Sequence, residues 1–181
     1  MDTKKLNKLA ATYNMIPNLL WTILFLGPVY IFCYRSMPLT LCLTVLGISL
    51  IPLFFPSSIF SAIQLSKKPR FYEHLGVRRI NTFAQNGGLI NRYLRKKYPQ
   101  FKVLAHSKTS LIKRYRETFF FEKFHFSLFL FYITAATYAL LKTQLTWALV
   151  ITVCNIFYNI YPNLLQQYIR SKLAPLLSNV I

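Results

Sequence analysis

Residues 15–34 read MIPNLLWTILFLGPVYIFCY, and after Arg35 and Ser36 residues 37–65 read MPLTLCLTVLGISLIPLFFPSSIFSAIQL. Neither run carries a charge. A helix of about 20 apolar residues crosses a hydrocarbon core about 30 Å thick, so each run is long enough to span a bilayer. The two-residue connection forces the second helix to return beside the first. A second pair follows, residues 126–141 (extended toward the N-terminus by 110–125) and 145–165, joined by Lys142, Thr143 and Gln144. The sequence therefore predicts an all-α integral membrane protein, one membrane domain over 1–181. Its four transmembrane helices form two antiparallel hairpins, with spans at 15–34, 37–58, 122–141 and 145–165. Pro17, Pro28, Pro52 and Pro56 are expected to kink the first two spans, because each ring removes a backbone donor and crowds the preceding turn.

Composition agrees with a lipid environment. Apolar residues make up 54% of the chain and aromatic residues 17%, more than a water-soluble domain of this size needs for its core. Lys and Arg number 22 against 4 acidic residues, a formal net charge of +18 that suits anionic lipid headgroups, phosphates or an acidic partner. Nucleic acid is not expected, since its binding modules rarely carry several spanning-length apolar runs. Cys33, Cys42 and Cys154 lie inside apolar stretches without metal-site or disulfide spacing and read as small hydrophobes. The basic start at Lys4, Lys5 and Lys8 precedes a run too long for a signal peptide and without a small-residue cleavage site, so it reads as a retained first span.

Charge also predicts sidedness. Three Lys precede the first span, fifteen Lys and Arg lie between Lys67 and Lys123, and two follow the fourth span, against Arg35 and Lys142 in the opposite turns. The positive-inside rule places both termini and the basic segment, about 66–116, in the cytoplasm of a cell-membrane protein. Within that segment a turn is expected at Asn86-Gly87-Gly88. Leu89–Tyr98 then separates Leu89, Ile90, Tyr93 and Leu94 from Arg92, Arg95, Lys96 and Lys97, as a helix in the headgroup layer would.

Hydrophilic residues inside the later spans carry the functional signal. An ionisable side chain at the bilayer centre costs about 2.5–3.5 kcal/mol on insertion scales, so it faces protein or a wet cavity. Glu117, Glu122 and His125 fall on one side of the third span at about 100° per residue. Asn155, Asn159, Asn163, Gln166 and Arg170 form a stripe on the fourth. Counted from the turn at 142–144, His125 and Asn159 lie at similar depths, roughly 22–26 Å, and Glu117 and Arg170 both near 38 Å. The expectation is a polar pocket at the cytoplasmic edge in which Glu117 pairs with Arg170 and Pro162 bends the fourth helix to free a carbonyl. The alternative is that both stripes serve only as interhelical glue, worth about 0.6 kcal/mol per hydrogen bond.

Several chemistries are excluded. Glu122-Lys-Phe-His125 has the spacing of a di-iron ligand pair, but the second pair such a site requires is missing, so no metal is expected. Three histidines are too few for a multi-His oxygenase, and no His is followed five residues on by Asp as in glycerolipid acyltransferases. Gly-x-Ser-x-Gly, His-Glu-x-x-His and phosphate-binding glycine loops are also missing.

Three blocks resemble the glycosyl-diaponeurosporenoate acyltransferases of carotenoid biosynthesis and their membrane relatives. They are Tyr72-Glu-His-Leu-Gly-Val-Arg78-Arg79 leading to Asn86-Gly-Gly88, the Glu117-Thr118, Glu122, His125 pattern, and Asn159-Ile-Tyr-Pro162 followed by Gln166-Gln-Tyr-Ile-Arg170-Ser-Lys-Leu173. Together they cover about residues 68–173. The resemblance implies transfer of a fatty acyl group from a thioester donor to a hydroxyl of a lipid or lipid-linked sugar. On that chemistry His125 is the expected base, oriented by Glu122, with Glu117 beside them. Asn159 and Gln166 would stabilise the oxyanion, with Arg170 also in the substrate site. Arg78 and Arg79, with Arg95, Lys96 and Lys97, would hold the phosphates of acyl-coenzyme A or an acidic acyl carrier protein, either being the donor, with no other cofactor. The alternative function is a non-enzymatic multi-pass protein that binds membrane lipid or a partner subunit. A small multidrug transporter fits less well, lacking the proton-coupling carboxylate in the first span.

Overall fold

The computed structural model describes residues 3–83, 88–98 and 108–178, and these are helical throughout, with no strand among them. In chain order the helices are α1 (Thr3–Ser36), α2 (Leu39–Ser49), a 3-10 turn (Ile51–Phe54), α3 (Ser57–Ala62), α4 (Pro69–His74), α5 (Val77–Phe83), α6 (Gly88–Lys97), α7 (Lys108–Leu141) and α8 (Leu145–Asn155), then a π-helical turn (Ile156–Ile160) and α9 (Tyr161–Ser178). The turn expected at Asn86-Gly87 lies outside the described residues.

Among the described residues three helices are long and apolar enough to cross a bilayer: Leu9–Ser36, Lys108–Leu141, and Leu145–Leu177 taken through its π-helical turn. The run at 37–58 does not form the kinked single span expected of it. Neither Pro52 nor Pro56 can donate to a preceding turn. The helix accordingly gives way to a 3-10 turn at Ile51 and to extended backbone at Phe55 and Pro56, leaving a shorter apolar element over Leu39–Phe54. Pro17 and Pro28, by contrast, sit within an unbroken α1.

Of the two hairpins expected, α7 and α8 pair closely, whereas α2 packs chiefly on α7. α7 is the central element, flanked by α8 and α9 along its length and by α2, the 3-10 turn and α3, while α1 lies chiefly against α8 and α4 and α5 lie against α9. Ala135, Ala136, Ala139 and Ala148 are buried at the α7–α8 contact, where small side chains let backbones approach closely. Val29, Phe32, Tyr132 and Ile151 complete that core. Two polar links fasten α1: Tyr132 donates its hydroxyl to the Phe25 carbonyl at 3.1 Å, and Thr22 and Tyr158 share a hydrogen bond at 3.0 Å. The opposite faces expose Ile16, Leu19, Leu20, Ile23, Leu145 and Leu149, side chains that fit lipid rather than water.

α7 ends in a tight reversal. Gln144 donates to the Ala139 carbonyl and Thr143 to that of Leu140, both at 2.9 Å, with Thr143 in the left-handed region at φ 56°. This is the Schellman arrangement, with threonine where glycine is usual. Glycine does occupy the corresponding reversal between α4 and α5, where Gly76 has φ 76°.

Candidate active site

A cavity of about 620 Å³ opens between α1, α7 and the junction of the π-helical turn with α9. Residues four apart share a helix face, so Glu117, Phe121 and His125 present one continuous strip of α7 to it, with Arg114 one turn further out. Tyr158, Pro162 and Gln166 supply the facing wall, again at spacings of four. Asn18 and Trp21 of α1 and Ile80 of α5 close the sides. The volume lies within the ordinary range for a small-molecule site, roughly 300–1,000 Å³, and the lining is largely aromatic with a few polar groups.

The other candidate residues of α7 and α9 meet elsewhere, in a closed network behind that wall. Arg170, 1% exposed, donates to Glu122 at 2.5 Å, to the Gln64 side chain at 2.8 Å and to the Phe60 carbonyl at 3.3 Å. Its guanidinium also lies 4.2 Å from the Phe119 ring centre. Gln167 donates to the second Glu122 oxygen at 2.7 Å and accepts from the Leu65 amide and the Tyr72 hydroxyl. Burial pushes the Tyr72 phenol up from its ordinary range. Every charge here is paired, and the linker at 64–66 is sewn to α4 and α9.

Two expected pairings are corrected. Arg170 does not meet Glu117, which instead faces Arg114 at 3.4 Å across one turn of α7. Glu122 does not orient His125: its oxygens accept from Arg170 and Gln167, and the His125 Nδ1 has no partner among the described residues. The cause is the π-helical turn. Pro162 has no N–H for the carbonyl four residues back, and the backbone accommodates this with one wide turn before α9 begins. An extra residue in the turn rotates everything beyond it by about 100° relative to a straight helix. Gln167, rather than Gln166, therefore reaches Glu122, and Arg170 arrives at Glu122 rather than Glu117.

His125 is left with different neighbours. Its ring packs edge-on to Phe124 at 5.3 Å and to Tyr158 at 6.0 Å, and its Nδ1 is buried without a hydrogen-bond partner among the described residues. The polar groups bearing on the imidazole are the Asn159 side chain and the Tyr158 backbone. Asn159 is fully buried behind the cavity wall, and Gln166 lies at its surface. Arg78 and Arg79 are exposed on α5, one helical turn or less from Ile80 in the cavity wall. Among the described residues no three His, Cys, Asp or Glu side chains gather as a metal would require.

Asn18 and Trp21 are not singled out in the sequence, and Tyr72 and Gln167 stand in the resemblance blocks without a role. Asn18 carried a usable signal, as the one amide within the run 15–34.

Together these features define a class: an all-helical protein with spanning-length helices around an aromatic cavity that holds a histidine, an acidic side chain and amides. A family model described as glycosyl-4,4'-diaponeurosporenoate acyltransferase matches residues 56–179, and the chain belongs to that family. Neither a curated protein nor a solved structure matches the chain. The match begins at Pro56, so the α1 wall of the cavity stands outside it while the walls from α5, α7 and α9 stand within.

Proposed function

We propose that the protein transfers a fatty acyl group from a thioester donor to a hydroxyl of a lipid-linked sugar, such as a glycosylated carotenoid, with His125 as general base. The observation that carries this reading is a histidine in the wall of a lipid-sized aromatic cavity, within the family-matched segment. His125 takes the proton of the acceptor hydroxyl as its oxygen bonds to the thioester carbonyl carbon. The tetrahedral intermediate then collapses, the C–S bond breaks, and the proton passes to the departing thiolate. Gln166, at the cavity surface, would donate to the oxyanion, whereas Asn159 already gives one amide hydrogen to Asn155 at 2.8 Å. Glu117, Arg114 and Asn18 offer the paired donors and acceptors that sugar hydroxyls need, and Trp21 a flat apolar face. The exposed Arg78 and Arg79 suit donor phosphates, whether of coenzyme A or of an acyl carrier protein.

The test is direct. Purified protein in detergent, given palmitoyl-coenzyme A or palmitoyl-acyl carrier protein and a glycosylated carotenoid, is expected to form the ester with saturable dependence on one donor. Saturable lipid binding without turnover on either donor would favour the non-enzymatic alternative.

A further inference from the structure

Glu122 bonds to Gln167 and Arg170 and not to His125, so another partner must fix the orientation of the imidazole. We propose that Asn159 is the positioning residue for His125: its Oδ1 accepts the imidazole Nδ1–H and holds the tautomer whose Nε2 lone pair faces the cavity.

The orientation of Asn159 follows from a backbone atom two residues removed. The Phe129 carbonyl of α7 can only accept, so Asn155 turns its Nδ2 toward it, at 3.3 Å. That leaves the Asn155 Oδ1 facing Asn159, which must donate with its own Nδ2, at 2.8 Å. The Asn159 Oδ1 is thereby turned away from Asn155. It has no partner among the described residues, although Asn159 is 0% exposed. The His125 Nδ1 is the matching case, buried and unpaired, and the Asn159 side chain bears on that ring. Pairing the two satisfies both atoms, whereas leaving them apart strands two polar groups away from water.

The second polar neighbour points the same way. Pro162 offers no N–H to the Tyr158 carbonyl four residues before it, and the Tyr158 backbone also faces the imidazole. Both neighbours are acceptors, so the ring nitrogen directed toward them carries the hydrogen. In a neutral imidazole the other nitrogen is then bare. The assignment extends the proposed reaction by naming what makes His125 a base toward the cavity, and it rests on that reaction only for its catalytic meaning.

The chain has three histidines, so 15N spectra of histidine-labelled protein in micelles are simple to assign, with His125→Gln removing one set. At neutral pH the His125 signals are expected to be those of the Nδ1–H tautomer. Asn159→Ala should lose that tautomer, while Asn159→Asp, which keeps an acceptor in place, should retain it. The opposite tautomer in the unmutated protein, which needs no variant to fold, would overturn the assignment, as would an unchanged spectrum in a folded Asn159→Ala. The spectrum reads the pairing whether or not acyl transfer occurs. The expected tautomer without turnover would reject the reaction and keep the pairing, and turnover with the opposite tautomer would do the reverse.

Discussion

Glu122 and Arg170 are charged groups sealed within the protein, each side chain 2% exposed and 2.5 Å apart. Removing one partner of such a pair strands the other, at about 3–5 kcal/mol, so Arg170→Met is expected to lower the thermal midpoint sharply. Combining it with Glu122→Gln should recover part of that loss, because no uncompensated carboxylate remains; equal midpoints for the single and double variants would contradict the pairing. Glu73 carries the pH dependence expected outside the spans. The Tyr168 hydroxyl donates to it at 2.8 Å, and this bond, helped by the Lys172 charge against the opposing effect of burial, holds its carboxyl below the usual range. A depressed carboxylate contributes stability that is complete above the ordinary glutamate value of about 4.3 and is lost as pH falls through the lowered one. The α4–α9 contact should therefore weaken in that acid window by hydrogen exchange, and Glu73→Gln should abolish the change. At this scale the sequence was informative about membership and poor about partners. Charges in apolar runs single out Glu122, His125 and Arg170 without any coordinates, but which of them touch depends on helix phase at the level of one residue.

That phase is set by elements whose irregularity comes from proline. Pro162 produces the π-helical turn, and the straight-helix geometry used to pair Glu117 with Arg170 fails at that point. Pro52 and Pro56 end a helix that hydropathy alone would carry to residue 58, since hydropathy reports where a segment can reside and not whether its backbone bonds continue. The α7–α8 reversal is different, because the break at 142–144 is plain from Lys142 and Gln144, while the left-handed Thr143 carries no sequence warning. A β-branched residue at that φ is strained, so Thr143→Gly should stabilise the protein by about 1 kcal/mol. Chemical or thermal denaturation would show it, and a loss of stability would mean that the threonine is held there by contacts worth more than the strain.

Across the whole molecule, the distribution of Lys and Arg favours an even number of crossings. Twenty basic residues lie in segments assigned to one side and two in the opposite turns, while among the described residues three helices meet the length for a span without help from Leu39–Phe54. Positive-inside bias therefore predicts that Leu39–Phe54 also crosses, in a shortened or locally thinned form, so that reporter fusions at both termini and within 99–107 all report the cytoplasm. Termini on opposite sides would leave a three-span protein with the short element lying at the interface. The proposed reaction depends on His125, which lines the cavity between α1, α7 and α9. The measurement that bears most directly on this is acyl transfer by His125→Gln, with far-ultraviolet circular dichroism and thermal midpoint checked in parallel. Loss of the base is expected to reduce turnover by about 10²–10⁴-fold in a protein that inserts and melts like the original. Undiminished transfer by that folded variant would contradict the assignment of His125 as the base.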